Sequence, residues 1–160
     1  GASVYSLLLQ PDGKILVGGL FDSINGLSHT NLVRLNQDGS VDNTFGLNGV
    51  DILVYGLALQ PDGKIVIAGG FTAVNGVSRR NVARLNANGL LDTTFDPGVG
   101  LDGTVFAVAV QNGKILLAGS FSSYNGVSTA PVIRVNGNGV YFSYFLATSL
   151  VFQFLTKSFP

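Results

Sequence analysis

The chain has 160 residues, 22 of them glycine, and its nine basic and nine acidic residues balance to zero net charge. That balance lacks the electrostatic footprint of a nucleic-acid binder. The absence of cysteine removes disulfides, thiolate metal sites and cysteine nucleophiles. Glutamate, methionine and tryptophan are absent too, and there is a single histidine. An apolar content of 46% supports a packed core rather than disorder. The sequence opens at Gly1 with no initiator methionine and no charged-then-apolar leader, so a mature or excised piece is expected.

In chain order, Val4 to Gln10 and Ile15 to Phe21 read as nearly continuous apolar runs, the pattern of strands buried on both faces. Pro11-Asp12-Gly13 between them fits a three-residue hairpin loop with glycine at the left-handed position. A longer loop over 22–31 carries Asn25-Gly26. Leu32 to Asn36, which includes Arg34, is a third strand with less even burial, and after the turn Gln37-Asp38-Gly39 a fourth is expected over Val41 to Phe45. The series then begins again. Residues 1–50 and 51–100 are identical at 23 of 50 positions, and Gln10-Pro11-Asp12-Gly13-Lys14-Ile15 returns as Gln60-Pro61-Asp62-Gly63-Lys64-Ile65. A third copy shortens this to Gln111-Asn112-Gly113-Lys114-Ile115, which replaces one legitimate hairpin turn with another, the two-residue type I′ loop. Phe21, Phe71 and Phe121 keep the period, as do Arg34, Arg84 and Arg134.

A unit of about 50 residues holding four antiparallel strands describes a β-propeller blade, with solenoids as the runner-up. The expectation is all-β: three four-stranded antiparallel blades of a partial propeller, or part of an assembled one. The blades would span 1–50, 51–100 and 101–145, the third degenerate at its end, with an apolar off-pattern tail over 146–160. Gly18-Gly19 and Gly69-Gly70, at the ends of second strands, are expected to let neighbouring sheets approach.

The run Gln-Pro-Asp-Gly-Lys-Ile-x-x-x-Gly-x-Phe, then Asn-Gly, then Asn-x-x-Arg-Leu-Asn-x-x-Gly, then Leu/Val-Asp-x-Thr-Phe resembles the delta-60 repeat, a bacterial β-propeller repeat that is kelch-like in its Gly-Gly strand end. The resemblance covers roughly residues 4–139. It implies a propeller module of large bacterial secreted or cell-surface proteins, and it implies no catalytic activity.

Arg34, Arg84 and Arg134 suggest a ring of anion-binding guanidiniums. Asp42 and Asp92 stand eight residues beyond the first two, so structural Arg–Asp pairs across strands three and four are the favoured reading. Phe142 breaks this pattern in the third copy. The run 36–42 resembles part of a calcium loop, but its first ligand position falls on Arg34 and its carboxylate position on Phe45. No metal or cofactor site is expected. Candidate ligand-binding residues are the non-repeated ones on the repeated loops: Asp22, His29, Thr30, Thr72, Arg79, Arg80, Ser122, Tyr124 and Thr129. Their partner would be a protein or a glycan.

The expected function is a non-enzymatic scaffold or binding module, extracellular or at the cell surface. A carbohydrate-active propeller enzyme is the alternative, and would need two of Asp22, Asp51, Asp96 and Asp102 to converge. An inactive fragment of a longer propeller is another. Three blades leave two open ends, which a longer chain or a homo-oligomer, for instance a six-bladed dimer, would close. After Gly139 the glycines stop, and five of the eleven phenylalanines fall over 142–159. Three readings of this tail stand: an extended fourth strand, a docking or membrane-associated segment, or a truncation or shifted reading frame. The 14-residue run over 142–155 is short for a bilayer span.

Overall fold

The computed structural model describes residues 2–47 and 49–141. The tail over 146–160, and the last part of the third unit beyond Tyr141, lie outside the described residues.

Among the described residues fifteen strands follow in order: β1 Ser3–Leu9, β2 Ile15–Leu20, β3 Ser23–Ile24, β4 Leu27–Ser28, β5 Leu32–Leu35, β6 Val54–Leu59, β7 Ile65–Gly69, β8 Ala73–Val74, β9 Val77–Ser78, β10 Val82–Leu85, β11 Thr104–Gln111, β12 Lys114–Ser120, β13 Ser123–Tyr124, β14 Val127–Ser128 and β15 Val132–Asn136. They form three antiparallel sheets, β1-β2-β5, β6-β7-β10 and β11-β12-β15, and three two-stranded ribbons, β3-β4, β8-β9 and β13-β14. With no helix among the described residues, the chain is all-β, and the three sheets are the blades of a partial propeller.

The turns are the ones the sequence specifies. Gln10 N–H donates to Lys14 O, Gly13 N–H donates to Gln10 O, and Gly13 sits at φ +81°. Asn112 and Gly113 have φ of 50° and 71°, the type I′ signature, across the Gln111–Lys114 pair.

The fourth strand is reduced to one residue. Leu35 pairs with Val41, Leu85 with Leu91 and Val135 with Tyr141, each as an isolated bridge. Asp42 then turns the chain away: its Oδ1 accepts from Thr44 N–H and its carbonyl accepts from Phe45 N–H. A side chain that bonds the backbone two residues on competes with the ladder, and here it ends the ladder.

The sheets stack face to face. Leu16 and Leu32 of the first pack against Leu57, Ile65 and Ile67 of the second. Val66 and Val82, on the second sheet's other face, pack against Ile115, Leu117 and Ile133 of the third. Innermost strand β6 lies against both β1 and β11. Burial on both faces holds for the middle sheet, where β7 is buried throughout. It fails for β1: Leu7 and Leu9 are 67% and 70% exposed, because no described sheet covers their face.

Each innermost strand carries a bulge, between Val4 and Ser6, Val54 and Gly56, and Val105 and Ala107. The bulged residues are Tyr5, Tyr55 and Phe106. Their rings form a ladder, with centroids 4.9 Å apart from Tyr5 to Tyr55 and 5.5 Å from Tyr55 to Phe106. The bulge also explains a glycine. A Cβ on Gly69 would lie 2.1 Å from the Leu53 carbonyl oxygen, so it is the neighbouring strand of the same sheet that demands glycine there. Gly18 does face the next sheet, since its Cβ would lie 2.9 Å from Val54 Cγ1.

Gly69→Ala is therefore expected to cost about 3 kcal/mol through forced backbone movement. Gly76→Asn, at a left-handed turn position with open space around it, should stay within about 0.5 kcal/mol. Urea unfolding of the two variants checks the contrast, and equal losses would contradict it.

Candidate functional site

The candidate residues cluster on the ribbons. Each ribbon follows a middle strand by way of a buried phenylalanine just past the strand's end, Phe21, Phe71 or Phe121. Asn25-Gly26, Asn75-Gly76 and Asn125-Gly126 turn the ribbons, all with positive φ, as type I′ geometry requires. His29 N–H donates to Asp22 O at 3.1 Å, Arg79 N–H to Thr72 O at 2.8 Å, and Thr129 N–H to Ser122 O at 2.8 Å. The structure thus brings the candidates together in pairs across the base of each ribbon. It does not bring the three pairs into one cluster.

Several of these residues are occupied structurally. The Asp51 carboxylate accepts from Thr72 Oγ1 at 2.5 Å and from the backbone N–H groups of Thr72 and Ala73. Asp102 does the same with Ser122 Oγ at 2.6 Å and the N–H groups of Ser122 and Ser123. Burial would raise the Asp51 carboxyl, but the Thr72 and Ala73 bonds outweigh it and hold it below its ordinary value. At Asp102 the Ser122 hydroxyl leads the cause, and the carboxyl lies well below the usual range. These two acids, which look non-repeated, are equivalent, and one inserted residue hides the match.

Tyr124 is 1% exposed and belongs to the core rather than to a loop surface. Its hydroxyl donates to Gly139 O at 2.6 Å, its ring lies 5.8 Å from Tyr141, and burial pushes its phenol well up. Ile24 and Val74 hold the same ribbon position, so the site follows the packing of the repeat. Arg80 is exposed, and its carbonyl crowds the crossover at Gly100. Thr30 O accepts from Val50 N–H, and a cleft of about 220 Å³ lies among Ser28, His29, Thr30, Leu32, Leu47 and Gly49.

Asn31 and Asn81 belong to the repeat pattern but were not among the candidate site residues. Asn31 Oδ1 accepts from Phe21 N–H, and its Nδ2 donates to Val50 O at 2.8 Å. Asn81 Nδ2 donates to Leu101 O at 2.8 Å. Both sit at positive φ, 64° and 66°, and tie each ribbon to the crossover toward the next sheet. Their 50-residue spacing just before the third strand was the available signal.

The arginines are structural. Arg34 Nε donates to Asp42 Oδ2 at 2.7 Å and Arg84 Nε to Asp92 Oδ2 at 2.8 Å, with all four side chains buried. Lys14 and Lys64 reach the same oxygens at 2.7 Å. Each guanidinium also covers a ring, Arg34 over Phe45 at 4.3 Å and Arg84 over Phe95 at 5.3 Å. Each crosses to the next sheet as well: Arg34 Nη1 donates to Ala87 O at 2.6 Å, and Arg84 Nη1 donates to Gly137 O. Burial would raise both aspartates, but hydrogen bonds from Lys14, Thr44 and Arg34, and from Lys64, Thr94 and Arg84, hold them far below the usual carboxylate range. In the third unit Arg134 is exposed, Lys114 Nζ donates to Asn136 Oδ1, and Phe142 lies outside the described residues. Among the described residues no three of His, Asp, Glu or Cys gather as a metal site.

A family model described as a domain of unknown function (DUF5122) β-propeller matches residues 10–45, 60–95 and 111–140. No curated protein and no solved structure matched the chain.

Arg84→Ala should cost about 3–5 kcal/mol, since it leaves the Asp92 carboxylate buried without its guanidinium. Tyr124→Phe should cost about 1–2 kcal/mol by stranding the Gly139 carbonyl. Because the folded-state pKa values of Asp42 and Asp92 are depressed, their stabilisation is present at neutral pH, above the unfolded value near about 3.9. It is lost progressively as the pH falls below about 4 toward the folded-state values. Thermal melts from pH 7 to pH 2 read this directly, and a melting temperature flat across that range would contradict it.

Proposed function

Because the chain belongs to the DUF5122 β-propeller repeat family, we propose that it is a non-enzymatic binding and scaffold module of the delta-60, kelch-like type, working outside the cell or at a bacterial surface. The observation that carries this reading is a constant frame with variable residues at the ribbon bases. The ribbons keep one geometry, with Asn-Gly turns and equivalent base hydrogen bonds, while their outward residues change from unit to unit. Asp22 and His29 occupy the first ribbon base, Thr72 and Arg79 the second, Ser122 and Thr129 the third. Rigid elements that present variable polar loops suit recognition of a protein or glycan partner. The acids support the same reading against glycoside hydrolysis, because Asp51 and Asp102 are each held by their own ribbon rather than set across a cleft from one another. The location outside the cell rests on the resemblance to the delta-60 repeat.

The test is retention of partners on the immobilised chain, with a glycan array as one arm and protein pull-down as the other. The quadruple variant Asp22→Ala, His29→Ala, Arg79→Ala, Arg80→Ala should lose at least about tenfold in affinity with its melting temperature unchanged. A partner held equally by variant and parent would place recognition elsewhere on the molecule.

A further inference from the structure

The step Asn-Gly occurs eight times in the sequence, at Asn25, Asn48, Asn75, Asn88, Asn112, Asn125, Asn136 and Asn138. Such a step carries a reaction within itself, because glycine has no Cβ to shield its backbone nitrogen from the preceding carboxamide carbon. Asn48 lies outside the described residues. The fold engages six of the others. Asn25 Nδ2 donates to Gly39 O at 3.0 Å, and Asn125 Oδ1 accepts from Val99 N–H at 3.1 Å. Asn88 and Asn138 accept from the N–H groups of Leu90 and Val140, and the nitrogens that would attack them, on Gly89 and Gly139, already donate to Asn86 O and Asn136 O. Asn136 Oδ1 accepts from Lys114 Nζ, and Asn75 has a partner as well. Asn112 differs. Among the described residues neither its carboxamide nor the Gly113 N–H meets a hydrogen-bond partner. Both residues are exposed, and a Cβ on Gly113 would meet nothing within 4 Å.

We propose that Asn112-Gly113 is a site of spontaneous covalent modification that converts ahead of every other described Asn-Gly step. The Gly113 nitrogen gives its proton to solvent base and attacks Asn112 Cγ. The Cγ–Nδ2 bond breaks, the nitrogen takes up a proton and leaves as ammonia, and a five-membered succinimide remains. Water then adds at either imide carbonyl. One opening gives aspartate; the other gives isoaspartate, in which the main chain runs through the side-chain carboxyl carbon. Nothing is oxidised or reduced. At Asn112 only the turn across the Gln111–Lys114 pair has to open, whereas the other steps must also release the contacts that hold them. Local opening costs less where fewer contacts break. The two products differ in consequence. Aspartate is the residue that the first two units already carry in this loop, where Asp12 and Asp62 Oδ1 accept from Lys14 and Lys64 N–H at 3.1 Å. Isoaspartate adds a methylene to the main chain of a two-residue turn, and this displaces Lys114 from the register that brings it to Asn136. Either product adds a negative charge to a chain whose charges balance. The hairpin takes no part in the ribbon-base reading, so the two stand independently.

The test follows the folded chain at mildly alkaline pH over days, with tryptic peptides read by mass spectrometry and fragment ions assigning each converted asparagine. Asn112 should convert at least about threefold faster than Asn25, Asn88 or Asn125, the difference that one hydrogen bond makes. In urea the rates should converge, since every step then presents the same two residues in an open chain. Isoelectric focusing of the folded chain should show an acidic form that migrates with the Asn112→Asp variant. Asn112→Gly, which keeps a residue suited to the left-handed turn, should remove that form from the early samples. If either variant fails to fold, the peptide map of the parent still decides. Conversion at Asn112 no faster than at Asn88 or Asn125 would overturn the proposal. So would a lead for Asn112 that persists undiminished in urea, because the cause would then be neighbouring sequence and not the fold.

Discussion

The structure turns on two buried carboxylates, Asp42 and Asp92. Each is nearly sealed from water and each is met by two cations. An ion in that position is tolerable only with full hydrogen bonding. Meeting that demand places the surrounding parts: the lysine at the end of the first hairpin, the arginine on the third strand, the threonine two residues on. The threonine bond turns the chain out of the sheet. The arginine, already fixed by the carboxylate and by a phenylalanine face, extends an Nη1 N–H to the neighbouring sheet. One acid in each of the first two units thus ends a strand, locks a hairpin and fixes the spacing to the next blade.

Apolar packing then acts in one dimension. The middle sheet shares its two faces with its neighbours, and among the described residues its strands are the most completely buried. Each ribbon is held at its base by a carboxylate clamp or an asparagine bridge. These polar contacts bind the crossover segments to the loops they pass, so the loops stand on rigid supports while the residues at their bases differ in sequence.

Much of this was legible in the residues. The 50-residue period gave the blades, Pro11-Asp12-Gly13 and Asn112-Gly113 gave the hairpins, and the spacing of Arg34 and Asp42 gave the ion pair. The rest depended on information that spacing does not carry. The shortening of the fourth strand follows from a side-chain bond at Asp42 that competes with the ladder. The equivalence of Asp51 and Asp102 was hidden by a one-residue shift. Tyr124 looked like a loop residue because a two-residue ribbon is too short for alternation to show which side faces inward. The glycine at 69 was legible as a requirement but not its cause, which is a bulge on the adjacent strand.

The partner of Arg34 and Arg84 across each junction is a main-chain carbonyl. The two acceptors, Ala87 and Gly137, differ in side chain, yet both offer the same oxygen. A junction that reads backbone places no demand on the side chain beyond it. Units joined in this way can be duplicated, lost or reshuffled in a gene while each new boundary remains chemically complete, and their loops are free to diverge from the first generation onward.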